Sequence, residues 1–516
     1  MAFPLTADGT GVTPADCSTM AGEKIEPIVE EGKNVWRIAR ASEAAMIVDA
    51  ADYFRTIGKA MRKAKERIFI VGWDFDTRIS LDPEDDHEYG DSLGHLFIEL
   101  ARERPTREID VLKWNFGALK QFLSLRAIYW LFRWWLAKNI HMKFDSAHPP
   151  GCSHHQKIVV IDEHLAACGG IDISSRRWDT PDHEPDDERR KTPNDRSYGP
   201  WHDTTMLMRG PIAGVLGELG RERWKMATSK KLDPVPSGKV EWPSDIRVQF
   251  NDVDVGIART RASYRDVDEV RENEQLAIDM ICAADRLVYI ENQYFTAPRV
   301  AAAIAARLNA PDPPEIVMVM PRRGDGWLES VAMDGTRQKL MQAIQRLREG
   351  DRFRIYVPVN RAGEDIYVHA KVAIVDDRLL RVGSANLNNR SMGLDSECDV
   401  VIDSALPSNH GTEASIRALR HRLLGEHLGV DPLVVEKAEE AEGSLIAAIE
   451  RLRGEGKTLT PLEADPLSDL DQFVAEHELL DPETTEEMFE PIARKNLSQR
   501  WLRSRKRLRR LVRGRH

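Results

Sequence analysis

One pattern occurs twice in this chain and limits what the chain can fold into. The first copy is His155-Gln156-Lys157, four further residues and Asp162; the second is His369-Ala370-Lys371, four further residues and Asp376. Both read H-x-K-x4-D, and seven residues beyond each Asp stand Gly169-Gly170 or Gly383-Ser384. The surroundings repeat as well. An apolar run opens each half (Arg67 to Trp73, and Arg286 to Ile290), helical patterns and further apolar runs follow, and each histidine comes 88 or 83 residues after its opening run. This order predicts a duplicated α/β unit. Ile158-Val159-Val160-Ile161 is continuously apolar, as in a strand buried on both faces.

The expected organisation is a leader over 1–40, a first half over 41–235, a second half over 245–430 and a helical extension over 431–516. Pro234, Pro236, Gly238 and Pro243 mark the boundary between the halves. Ala45, Ile47, Val48 and Phe54 recur at helical spacing and predict a helix from Ala41 to Lys65. Residues 117–138 read as a helix rich in Trp and Phe, Lys437 to Arg453 as an acidic, Ala-rich helix, and 455–470 as loop. A polar stretch, Arg176 to Pro200, occurs only in the first half and reads either as a solvated insertion or as a rim over the site.

A formal net charge of -11 argues against wholesale nucleic-acid binding, so no nucleic-acid partner is expected. The charge is uneven, because Arg500 to His516 is strongly basic. The five cysteines are odd in number and form no C-x-x-C pair, which indicates neither a disulfide framework nor a zinc site. The first twenty residues lack a basic segment followed by an apolar one, and no apolar run approaches the roughly 20 residues of a membrane span. A cytoplasmic or peripheral membrane location is expected, with export by a route that reads no cleavable signal left open.

On a strand, His155 and Lys157 point to one face, as do His369 and Lys371. If both pairs converge, two ammonium groups and two imidazoles surround one point. A phosphoryl group fits there, since lysines offset charge that builds in the transition state. One histidine can attack phosphorus while the other protonates the leaving oxygen. This scheme needs no cofactor and no metal. Ser384 and Asn386 follow the second copy and are expected to donate to phosphate oxygens, with Gly170 and Asp172 at the matching places of the first copy. Asp203 and Glu397 open the next strands and are expected to orient the histidines. Asp162 and Asp376 are counted with the catalytic motif, although on an ideal strand they lie opposite the histidines, where bonding backbone near the turn is the competing role.

These motifs resemble the phospholipase D superfamily, and the wider context resembles its eukaryote-like branch, which many bacteria share. The resemblance spans about residues 40–430. It rests on the two H-x-K-x4-D copies, Gly169 to Asp172, Arg177-Trp178-Asp179, Trp201-His202-Asp203, Tyr289 to Phe295, Gly383 to Ser391 and Asp395-Ser396-Glu397. It implies two similar α/β/α halves with mixed sheets and one active site at their interface. It also implies His155 as nucleophile, His369 as general acid, and Lys157, Lys371, Asn386 and Ser384 as phosphate ligands. The implied activity is phospholipase D hydrolysis of glycerophospholipids, phosphatidylcholine by family default, with transphosphatidylation to alcohols. The implied partners are a phospholipid bilayer or vesicle surface and water or an alcohol as acceptor, for a chain expected to be monomeric. A cardiolipin-synthase-like transferase is the alternative; a superfamily nuclease and a non-catalytic lipid-binding scaffold fit less well. Tyr129 to Trp135 reads first as helix packing and otherwise as a contact at the headgroup level. Trp501 to His516 reads as a basic interfacial helix or a solvated tail.

Overall fold

The computed structural model describes residues 26–83, 92–114, 125–236, 239–324 and 327–463. The basic tail from Trp501 lies outside them. The duplication is visible strand by strand. In the first half the sheet order is Ile140–Asp145, Glu108–Trp114, Arg67–Gly72, Ile158–Ile161, Leu165–Gly169, Thr204–Arg209 and Arg37–Val48. In the second it is Phe353–Val359, Glu315–Val319, Leu287–Glu291, Val372–Val375, Leu379–Gly383, Glu397–Asp403 and Phe250–Arg261. The first three strands of each list are parallel, the remainder antiparallel. Arg37–Val48 pairs antiparallel with Phe250–Arg261, Ala39 opposite Val255, and joins both halves into one mixed sheet. This is the duplicated α/β architecture the repeat implies.

Three regions differ from the sequence expectation. Ala41 to Val48 belongs to the central strand Arg37–Val48, and the helix starts only at Ala50 and ends at Lys63. Alanine's helical preference yields here because Ala41, Ala44 and Ala45 are fully buried and the strand is paired on both sides. Asp49, at φ 65° and ψ 155°, turns the chain from strand to helix. The acidic helix divides into Pro432–Glu442 and Leu445–Leu452, because Gly443 takes a left-handed cap and Ser444 caps the second piece by accepting from Ala447 N–H. The expected loop at 455–470 supplies an edge strand, Thr458–Pro461, beside Phe353–Val359. Cys152, Cys168 and Cys398 carry free thiols.

One apolar layer runs continuously through both halves and includes Phe69, Val160, Met206, Trp224, Tyr289, Ile374, Val400 and Leu423. The helices Pro211–Thr228 and Glu413–Leu428 pack into this layer. Each half keeps a second layer of its own under its remaining helices. The halves also meet face to face, with Cys168 Sγ 3.6 Å from Cys398 Sγ. That contact brings the strands that follow the two motifs against each other.

Candidate active site

Each histidine sits in a short extended segment just before its motif strand, Ile158–Ile161 or Val372–Val375. A backbone clamp across the halves fixes both segments. His155 N–H donates to Ser396 O at 2.8 Å, and His369 N–H donates to His202 O at 2.8 Å. Ser396 and His202 immediately precede Glu397 and Asp203. Each clamp therefore delivers a histidine to the carboxylate of the opposite half. His155 Nδ1 lies 3.0 Å from both oxygens of Glu397, and His369 Nδ1 lies 2.7 Å from Asp203 Oδ2. The two imidazole centroids are 6.5 Å apart. Both rings line one open cleft of about 830 Å3, together with Trp73, Trp114, Arg177, Trp201, Gln293 and Asn386.

Aromatic rings and amides form the walls. Trp73 stacks on Trp114 at 5.9 Å and meets His155 edge-on at 6.0 Å. Opposite, Trp201 stacks on Tyr367 at 4.7 Å and lies 5.2 Å from His369, with the Arg177 guanidinium 4.3 Å above its ring. Arg177 thus puts the start of the first-half insertion on the rim of the cleft, while Asn194 to Ser197 are exposed. Asp179 ties the insertion down by accepting from Arg190 at 3.1 Å and from Trp201 N–H at 2.8 Å.

The lysines stand behind the histidines. Lys157 Nζ donates to His155 O at 2.8 Å and lies 3.3 Å from Asp172. Lys371 Nζ donates to His369 O and lies 3.5 Å from Gln293 Oε1. Lys371 meets a neutral amide where Lys157 meets a carboxylate. Burial lowers the Lys371 ammonium to about 7. Burial, then the neighbouring cations Lys157 and Lys371, holds His155 well below its ordinary value; for His369 the cause is burial, then Lys371 and Arg177. Burial raises Asp203 to about 7 and Glu397 to about 8. Each histidine and its carboxyl group therefore share protons as a pair near neutral pH.

Four expected site residues lie elsewhere. Ser384 is fully buried, and its hydroxyl donates to Glu397 at 2.6 Å. Gly170 lies behind Asp203, where a Cβ would come within 2.1 Å of Asp203 Oδ1. Both make room for, or bond to, the orienting carboxylates and are not cleft surface. Asp162 and Asp376 lie at the far end of the motif strands, roughly 16 Å from the lysines at about 3.3 Å per residue. Asp162 accepts from the backbone N–H groups of Lys65, Glu66 and Arg67 at 2.7–2.8 Å. Asp376 does the same for Asp285, Arg286 and Leu287. The motif aspartates fasten the start of each half's opening strand, the competing role that strand alternation allowed. Arg177, Trp73, Trp114, Trp201 and Gln293 had no expected role, although Arg177, Trp201 and Gln293 lie in quoted motifs. For those three the signal was their place in the motifs, while Trp73 and Trp114 only stand at strand ends; the direction in which any of them points was not legible.

The fold and cleft define a duplicated α/β protein with one two-histidine centre shared by its halves. The phospholipase D family profile matches residues 332–456. Phospholipase D1 of Schizosaccharomyces pombe is 24% identical over 493 residues, covering 76% of this chain and 36% of that protein. Phospholipase D alpha 1 of Carica papaya is 25% identical over 511 residues, covering 72% and 63%. The chain thus spans between about a third and under two thirds of the length of these relatives. In fold it resembles the phosphatidylserine synthase of Haemophilus influenzae, with a TM-score of 0.52 at 13% identity, over 88% of this chain and 94% of the other. These comparisons support the phospholipase D superfamily as the family this chain resembles.

Proposed function

We propose that the protein is a phospholipase D of the eukaryote-like branch, with halves over 41–235 and 245–430. It hydrolyses the distal phosphodiester of glycerophospholipids, phosphatidylcholine first, to phosphatidate and free headgroup. The observation that carries this reading is the pair of histidines 6.5 Å apart, each held at Nδ1 by a carboxylate of the opposite half. That bonding leaves both Nε2 atoms for the substrate. His155 Nε2 attacks phosphorus, and the headgroup oxygen leaves with a proton supplied by the His369–Asp203 pair. Water then attacks the phosphohistidine, His369 takes its proton, and the P–N bond breaks to release phosphatidate. Lys157, Lys371 and Asn386 stabilise the phosphoryl oxygens. Lys371 gains most from an anion, because among the described residues no carboxylate lies within ion-pair distance of it.

A lipid surface as partner has support in the helix Leu125–Leu136. Trp130 and Trp134 face the protein, with Trp134 Nε1 donating to Gly94 O at 3.1 Å. Ile128, Tyr129, Phe132, Trp135 and Leu136 are exposed, Trp135 by 76%. The stretch that reads first as core packing therefore has two apolar faces, and the outer one suits the headgroup level of a bilayer. Among the described residues no helix is long and apolar enough to cross a membrane.

The same intermediate resolved by an alcohol gives the second reading, a phosphatidyltransferase. Phosphatidylcholine vesicles containing ethanol separate the two readings. Release of choline with both phosphatidate and phosphatidylethanol is expected. Phosphatidylethanol without phosphatidate would assign the protein to transfer, and no headgroup release from any common phospholipid would refute both.

A further inference from the structure

Outside the cleft, the interior holds a cluster of charged side chains that the phosphoryl chemistry does not use. Asp49, His183 and His202 come from the first half and Glu426 from the second, and all four are at most 6% exposed. One donor atom from each lies within 4.8 Å of all the others. His183 Nε2 is 3.5 Å from Asp49 Oδ2 and 3.2 Å from Glu426 Oε1. His202 Nδ1 is 2.9 Å from Glu426 Oε1 and 3.3 Å from Asp49 Oδ1. A tetrahedral zinc with bonds of about 2.0–2.1 Å puts its ligands about 3.3 Å apart.

Two further observations favour a cation over protons alone. Asp49 Oδ2 is buried without a hydrogen-bond partner, and His202 Nδ1, 2.9 Å from Glu426 Oε1, is poorly aligned for one; both are aimed into the cluster. Protons on the imidazoles would give each of these atoms a partner only with better alignment, whereas a central ion satisfies both at once. The outward nitrogen of each histidine is also held by a carboxylate. His183 Nδ1 lies 3.0 Å from Asp179 Oδ2, and His202 Nε2 lies 2.8 Å from Glu291 Oε2. Carboxylate-held imidazoles are the usual outer layer of a metal site, because they fix the tautomer and sharpen the ligand.

We propose that Asp49, His183, His202 and Glu426 form a structural site for one divalent transition metal, zinc by donor set, that pins the two halves together. Two imidazoles and two carboxylates suit zinc in closed four-coordinate geometry, with no position left for a substrate. The ion would act on the cleft through the chain. Asp203 N–H donates to Asp49 Oδ1 at 3.1 Å, Asp49 N–H donates to Asp203 O at 2.8 Å, and Asp203 holds His369. The site therefore positions the His369 side of the cleft and takes no part in bond breaking.

The test reads metal content and is independent of which lipid the cleft takes. Untagged full-length protein is loaded with zinc, freed of loose metal on a chelating resin and assayed by plasma emission. About one zinc per chain is expected, with a rise in Tm over chelator-treated protein. Replacing zinc with cobalt should give the intense visible bands of a tetrahedral N2O2 site. His183→Gln and Glu426→Gln should each lower bound zinc at least about tenfold, the range that loss of a ligand or of its support produces. If these variants fail to fold, the wild-type zinc count and the cobalt bands decide the matter alone. Bound zinc well below one equivalent, with an unchanged Tm, would overturn the proposal and leave a proton-held network.

Discussion

The two halves share a framework and differ in what they hang on it. Asp162 and Asp376 make the same three backbone bonds, and the two clamps deliver His155 and His369 to opposite carboxylates at matching distances. The supports behind those carboxylates diverge. Glu397 accepts from Ser384 at 2.6 Å and Ser391 at 2.7 Å, whereas Asp203 backs onto bare Gly170. Beside the first histidine, His154 bonds Ser396 at 2.7 Å and lies 3.2 Å from Asp145, which pairs with Arg223. Beside the second, the equivalent clamp residue His202 belongs to the buried histidine–carboxylate cluster. Duplication supplies the geometry of convergence, and later divergence gives two similar histidines different proton environments.

The largest expected effect removes either half's histidine. His155→Ala and His369→Ala should each cut choline release from phosphatidylcholine by at least about a thousandfold, read in a vesicle assay. Near-wild-type release by either variant would break the idea that both halves serve one reaction. Next comes the shared framework. Asp162→Ala strips a charged acceptor from three backbone donors and should destabilise the protein by about 2–4 kcal/mol in urea unfolding, with KM unchanged for the folded fraction. A changed KM with unchanged stability would return Asp162 to the cleft.

A subtler effect separates the two dyads by pH. The ordinary values are 4.5 for Glu397 and 6.5 for His155; in the folded protein Glu397 rises to about 8 and His155 falls well below 6.5. Between pH 6.5 and about 8 the folded pair keeps a proton that the unfolded chain has released. Stability therefore falls as pH rises through that window. Glu397→Gln should flatten this fall in thermal melts. Asp203→Asn should flatten less of it, because Asp203 rises only to about 7. The smallest effect concerns the exposed face of the helix Leu125–Leu136: Phe132→Ala with Trp135→Ala should weaken vesicle binding several-fold and leave hydrolysis of a short-chain monomeric lipid unchanged.

Much of this was legible in the sequence. The repeat gave the duplicated fold, and the carboxylates after Trp201-His202 and Asp395-Ser396 were recognisable as orienting groups. That each serves the other half's histidine was not, since crossing is a property of how the halves pack. Ser384 and Asn386 looked alike as phosphate donors, yet only Asn386 faces the cleft; two residues along a turn decide this, and turn direction is not written in spacing. The alanines of the strand Arg37–Val48 satisfy the helical and the extended pattern alike from Ala41 onward, and burial between two neighbouring strands decides between them. The cluster of Asp49, His183, His202 and Glu426 spans 377 residues of chain with no spacing rule to announce it.

The central claim is that one half's histidine attacks and the other's protonates. A phosphatidyl ester with a nitrophenol leaving group needs no protonation, so it isolates the first step. With His369→Ala, this substrate should give one rapid equivalent of nitrophenol and leave the phosphatidyl group on His155, located by peptide mapping. The same group on His369 in the wild type, or on no histidine at all, would contradict the account.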